Sequence, residues 1–125
     1  MPSLTGDAEI DAALARDLTI DITTTGRSSG RPRRIEIWFL QIAGRIFITG
    51  TPGRRDWLAN LTADRRLIFH LKESTVADLP AIAMVVGDET IRQLVFEHEA
   101  SHWYRTQTTL ADLIDNAPLV EIHFD

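Results

Sequence analysis

The sequence predicts an α+β fold, an antiparallel β-barrel with a few covering helices. Six strand-like apolar segments follow one another with mostly short connections. Helical periodicity is confined to the chain ends and one connection, and no helix follows each strand, as a doubly wound sheet would require.

Between Asp7 and Asp17, Ile10, Ala13 and Leu14 recur at helical spacing, so a short amphipathic helix is expected there. Leu18, Ile20 and Ile22 alternate with Thr19, Asp21 and Thr23, which describes a half-buried strand. Gly26 to Pro32 is rich in glycine and serine and reads as a loop, because Pro32 lacks an N–H donor and biases Arg31 to extended geometry. Arg33 to Ile42 reads as one strand, Ala43-Gly44 as a tight turn and Arg45 to Thr49 as the returning strand of a hairpin. After a second loop, Trp57, Leu58 and Leu61 share one side of a short helix that ends before Arg65-Arg66. Leu67 to Lys72 and Ala81 to Val86 are two further strands, the second so apolar that burial on both faces is expected. Asp88 caps a helix running to about Tyr104, with Ile91, Leu94 and Val95 on its inner stripe, and Pro118 to Phe124 closes the chain as a strand.

The 125 residues suit one domain, and 44% hydrophobic composition is enough for a core without disulfide or metal staples. With no cysteine, disulfides, thiolate metal sites and cysteine nucleophiles are excluded, and the cytoplasm is the expected location. No apolar run reaches the roughly 20 residues of a membrane helix, and Met1 to Asp17 is acidic, so neither a membrane span nor a secretory signal is expected. The formal net charge of −5 argues against a nucleic-acid partner.

Against that negative average, the basic residues concentrate between Arg27 and Arg66, and 12 of the 13 are arginine. Arginine favours planar, bidentate contact with phosphate or carboxylate. Two loops carry the concentration. In the first, Gly26 and Gly30 bracket Arg27, Ser28 and Ser29, with Arg31, Arg33 and Arg34 following. Its backbone N–H groups and hydroxyls are expected to form a phosphate nest. In the second, Thr49, Gly50 and Thr51 lead to Arg54, Arg55 and Trp57. If Arg33 to Ile42 pairs with Arg45 to Thr49, the open end of that hairpin brings Arg33 and Arg34 beside Thr49, Gly50 and Thr51. A multiply anionic ligand then offsets the gathered like charge.

The string Thr23-Thr24-Thr25-Gly26-Arg27-Ser28-Ser29-Gly30-Arg31-Pro32-Arg33, followed by a hairpin and a Gly/Arg loop running into Trp57, resembles the deazaflavin-dependent nitroreductase family of split β-barrel flavin and deazaflavin oxidoreductases. The resemblance runs from about Leu18 to Lys72 and more loosely to the end. It implies an FMN-binding or pyridoxamine-phosphate-oxidase-like split barrel, usually a homodimer, that binds reduced coenzyme F-420 and passes hydride to an electron-poor small molecule such as a quinone or nitro compound. Arg27, Ser29 and Arg33 are implied to hold the phosphate and glutamate tail, and Thr49, Gly50, Thr51 and the start of the Trp57 helix to support the ring. Trp38 and Tyr104 are candidate walls of the substrate space. The sequence departs from the family in Ser28 and Pro52, where lysines are common, in Ile35-Glu36 for a common Asn-Pro pair, and in lacking most C-terminal tyrosines. FMN is therefore the alternative cofactor, and a barrel binding flavin, deazaflavin, haem or lipid without turnover is the alternative function.

His98-Glu99-Ala100-Ser101-His102 is a literal H-E-x-x-H string. At about 100° per residue on one continuous helix, both histidines fall inside the apolar stripe of Ile91, Leu94 and Val95, facing a core or an interface. No third ligand follows at the spacing of a zinc peptidase, so a metal site at His98 and His102 is a minor reading. His70 is expected to face solvent, and Trp57 and Trp103 to anchor the core.

Overall fold

The computed structural model describes residues 4–125. Each helix begins where a local hydrogen bond or an apolar face makes it stable. Asp7 caps α1 (Ala8–Arg16), its carboxylate accepting from the N–H groups of Glu9 at 2.9 Å and Ile10 at 3.1 Å, and Ala13 and Leu14 are buried. β1 (Thr19–Thr25) alternates as predicted, with Ile20, Ile22 and Thr24 inward. β2 (Pro32–Trp38) pairs antiparallel along β1, placing Thr24 opposite Arg33 and Ile22 opposite Ile35.

The expected long strand from Arg33 to Ile42 is two strands. Phe39 interrupts it, giving its N–H to Leu18 O at 3.0 Å and packing its ring edge-to-face on Phe69. Beyond it, β3 (Leu40–Ile42) and β4 (Arg45–Thr49) form the predicted hairpin, whose turn puts Ala43 at φ 53° and Gly44 at φ 76°, as a primed two-residue turn requires. The hairpin is thus too short to hold Arg33 or Arg34.

α2 (Asp56–Ala63) buries Trp57, Asn60 and Leu61. β5 (Arg66–Leu71), β6 (Ala77–Val85) and β7 (Leu119–Phe124) complete the sheet, whose order is β2-β1-β5-β6-β7-β4-β3 with every pairing antiparallel. β6 is longer than predicted and is not buried on both faces: it alternates through Ala83, and Met84 and Val85 end it half exposed. One core lies inside the curled sheet, where Ile20, Ile22, Ile48, Phe69, Val120 and Ile122 meet Trp57 and Leu61, with α1 as cover.

The helix expected from Asp88 to Tyr104 is three pieces: α3 (Glu89–Glu97), a 3-10 turn over Glu99–Ser101, and α4 (His102–Gln107). His98 leaves the helical region at ψ 147°, and Arg105 donates to Phe96 O at 2.6 Å and His98 O at 2.7 Å, holding the bend. Val95 and Phe96 face inward, whereas Leu94, expected on the inner stripe, is half exposed. α5 (Leu110–Asn116), capped by Thr109, was not anticipated. These helices cover a second core of Leu40, Phe47, Phe96, Tyr104, Leu113 and Leu119. No helix among the described residues is long and apolar enough to cross a membrane.

Candidate functional site

β2 is a free edge of the sheet, and α2, β4 and α4 stand across from it, so the split in the barrel opens there as a groove. Its first hollow, about 310 Å³, is lined by Arg27, Ser28, Ser29 and Arg33 together with Ile35, Asp56, Trp57 and Asn60. A second, about 330 Å³, shares Ile35 and Trp57 with the first and adds Thr49, Gly50, Thr51, Arg55, Trp103 and Tyr104. A third, about 290 Å³, shares Thr49, Trp103 and Tyr104 and adds Trp38. Most of the sequence-predicted residues therefore meet along one groove. The two loops do so through Ile35 and Trp57, not through the hairpin the sequence suggested.

The first loop folds tightly on itself. Gly26 N–H donates to Arg31 O and Gly30 N–H to Gly26 O, both at 2.8 Å, and Arg31 N–H donates to Ser29 Oγ at 3.1 Å. A Cβ on Gly26 would lie 2.5 Å from Ser29 Oγ, so this position accepts only glycine without rearrangement. The N–H groups of Gly26, Gly30 and Arg31 are thus satisfied within the loop, and Arg27, Ser28, Ser29 and Arg33 line the hollow.

Asn60 ties the loop to α2. Its buried amide oxygen accepts from Arg27 N–H at 3.0 Å and Arg27 Nη1 at 3.2 Å, and its Nδ2 donates to Thr24 Oγ1 at 3.2 Å. Arg27 also meets the exposed carboxylate of Asp56 at 3.4 Å. An ion pair this exposed is worth little and yields readily to a better anion.

In the second loop Arg55 braces its own turn, donating to Thr51 O at 2.8 Å, Thr51 Oγ1 at 3.0 Å and Arg54 O at 3.1 Å. Thr49 Oγ1 donates to Pro118 O at 2.5 Å in a buried contact that locks the end of β4. Across the groove, Trp38 and Trp103 meet edge-to-face with centroids 5.3 Å apart, and Trp103 meets Tyr104 at 5.2 Å. Burial pushes the Tyr104 phenol above its ordinary value, so it stays protonated.

Other predicted positions fall elsewhere. Gly30 lines a separate hollow with Thr23, Pro32 and Arg66. Arg54 is exposed and lines none of these three hollows, and Arg34 pairs with Asp21 at 3.0 Å. His98 and His102 are exposed on separate pieces of helix, not on one apolar face, His98 Nδ1 accepts from Ala100 N–H at 3.0 Å, and no metal-competent cluster occurs among the described residues. His70 is buried, not solvated: its ring nitrogens lie 2.7 Å from Thr23 Oγ1 and 2.7 Å from Asp78 Oδ1. Trp103 is half exposed in the groove instead of anchoring a core. Asn60, Asp56 and Ile35 were missed as lining residues. A helical amide, an exposed acid and a strand isoleucine carry no signature in one sequence.

The fold and groove define a class of protein, the antiparallel split β-barrel. No protein-family model matches the sequence. Solved structures similar to it include an F420 reductase at TM-score 0.66 and 16% identity, the match covering 100% of this chain and 96% of that one. A protein of the pyridoxinephosphate oxidase family from Clostridium acetobutylicum, related to general stress protein 26, has TM-score 0.69 and 12% identity, with 93% and 81% covered. HutZ, a haem storage protein from Vibrio cholerae, has TM-score 0.65 and 16% identity, with 99% and 92% covered. At these identities the likeness is one of fold.

Proposed function

We propose that the chain binds reduced coenzyme F-420 in this groove and directs hydride from it to an electron-poor small molecule. The observation that carries this reading is the continuity of the groove, cationic and hydroxylic at Arg27, Arg33, Ser28 and Ser29, and apolar and aromatic from Ile35 and Trp57 to Trp38, Trp103 and Tyr104. A ligand with an anionic tail and a planar ring matches that order of surfaces. The similarity to solved F420 reductases supports the same choice, while the flavin-binding fold family keeps FMN as the alternative.

Arg27 and Arg33 hold the anionic tail, Ser28 and Ser29 donate hydroxyls to it, and Asn60 sets the position of Arg27. Ile35, Trp57 and the Thr49-Gly50-Thr51 segment form the surface for the ring, kept in place by the Arg55 brace. Bound and reduced, the deazaflavin supplies the hydride; the protein binds, orients and shields it from water. A homodimer closed over the half-exposed Met84 and Val85 fits this reading, as does the cytoplasm for a cysteine-free chain. Sedimentation equilibrium is expected to give the dimer mass and Val85→Glu the monomer.

Fluorescence titration with F-420, and in parallel with FMN, tests the cofactor. Tight, salt-sensitive F-420 binding is expected, with Arg27→Ala and Arg33→Ala each weakening it about tenfold or more through loss of a charge-assisted contact, while the circular dichroism spectrum is unchanged. Unaltered affinity in both variants removes the tail site, and FMN binding alone reassigns the cofactor. Steady consumption of reduced F-420 with quinones or nitroaromatics separates an enzyme from a carrier.

A further inference from the structure

Trp38, Trp103 and Tyr104 form a box whose chemistry narrows the acceptor, an inference that rests on the hydride-transfer reading above. The three rings stand nearly perpendicular in sequence, 77° between Trp38 and Trp103 and 89° between Trp103 and Tyr104. Trp38 is 37% exposed and Trp103 46%, and both line the hollow together with the buried Tyr104. Tryptophan faces carry the most negative quadrupole of any side chain, and convergent aromatic faces are how proteins hold organic cations.

Charge separates this end of the groove from the other. Among the described residues no arginine, lysine or histidine lines the box, whose remaining lining residues are Glu36, Ile37 and Thr49, but the Lys72 ammonium pairs with the Glu36 carboxylate. Arg55, in the neighbouring hollow, is committed to Thr51 and to the Arg54 carbonyl. Arg27 and Arg33, the groove arginines not committed to main-chain carbonyls, line the far hollow assigned above to the anionic tail. The box end presents aromatic rings and Glu36, whose carboxylate already pairs with Lys72, so the aromatic rings carry the selection for a cation.

We infer that this box takes a positively charged group, so that the acceptor is a planar organic cation of the pyridinium or iminium class. The balance of the reaction suits the residues present. The acceptor carbon gains a C–H bond and its electron pair, and the cationic nitrogen becomes a neutral amine nitrogen. The reduced deazaflavin loses that hydride and one proton, which passes to water. No general acid at the acceptor is required, whereas a neutral quinone or nitro group must collect a proton, and the only phenol at the box is buried and hard to ionise.

The test is a binding measurement without cofactor, by calorimetry, using the 1-methylnicotinamide cation and its neutral isostere 3-methylbenzamide. The cation is expected to bind at least about tenfold tighter, and Trp103→Ala and Trp38→Ala to abolish the preference. Both residues are partly exposed, and a thermal melt of each variant confirms folding; Trp103→Phe, which keeps a π face, retains part of the preference. Equal affinity for the two isosteres, or a preference untouched by Trp103→Ala, overturns the inference. F-420 titration of the same protein keeps the two readings apart. F-420 binding without cation preference removes this inference alone, and cation preference without F-420 binding leaves a cation site and removes the hydride step.

Discussion

Arg92 places a guanidinium under the helical cover and donates to four main-chain carbonyls: Ile114 at 2.6 Å, Val86 at 2.9 Å, Leu113 at 3.2 Å and Ala117 at 2.5 Å. These include carbonyls at the C-terminal end of α5 that have no helical partner, where a cation is favoured. The planar fork makes this possible, and lysine, with donors at a single point, cannot reproduce it. Arg92→Lys is expected to cost about 2 kcal/mol and Arg92→Met more, because several half-buried acceptors lose their donor. Urea unfolding measures it, and an unchanged midpoint would deny the clamp. Arginine thus serves two purposes in this chain, exposed beside a groove at Arg27 and Arg33, and structural at Arg92 and Arg55. Residue type alone does not distinguish them.

Elements differ from their sequence patterns where one side chain redirects the backbone. The run from Arg33 to Ile42 is uniformly strand-forming, yet Phe39 turns into the core against Phe69 and divides it, sending β2 to pair with β1 and β3 with β4. The helical period from Ile91 to Tyr104 is broken at His98, where Arg105 donates to the carbonyls of Phe96 and His98. Neither event has a glycine or proline to announce it. α2 shows the same dependence at the site, since Asn60 joins it to both β1 and the first loop. Asn60→Ala is expected to destabilise by about 1–2 kcal/mol by leaving buried partners unpaired, and also to weaken F-420 binding because Arg27 loses its support. Chemical denaturation and fluorescence titration read the two effects. Lost stability with full affinity would show that the amide does not position the arginine.

Across the whole molecule, acidic groups outnumber basic ones, and several are held charged by the fold. Lys72 lowers the Asp21 pKa, Arg66 takes Asp64 down to about 2, His70 lowers Asp78, Asn116 lowers Asp112 and Arg45 lowers Glu121. Their ordinary values are 3.8 for the aspartates and 4.5 for the glutamate. Because the folded values lie below these, the unfolded chain binds more protons in acid. The stabilisation is complete above the ordinary values and is lost as pH falls through the folded ones. The melting temperature is expected to hold down to about pH 5 and to fall steadily between about pH 4.5 and 2. A melting temperature flat across that interval would mean that these pairs contribute nothing to the fold.

The sequence by itself determined the α+β class, the start of α1, the Ala43-Gly44 hairpin, most strands and the places of the two arginine-bearing loops, because alternation, caps and turn residues act over a few neighbours. The tertiary structure decided what depends on distant pairing. β2 lies on β1, which places Arg33 beside Arg27 instead of beside Thr49, and Ile35 and Trp57 join the two loops. The gathering of Trp38, Trp103 and Tyr104 follows from a bend at His98 that no local pattern marks. Such contacts are selected by packing between segments far apart in the chain, and one-dimensional periodicity carries no record of them.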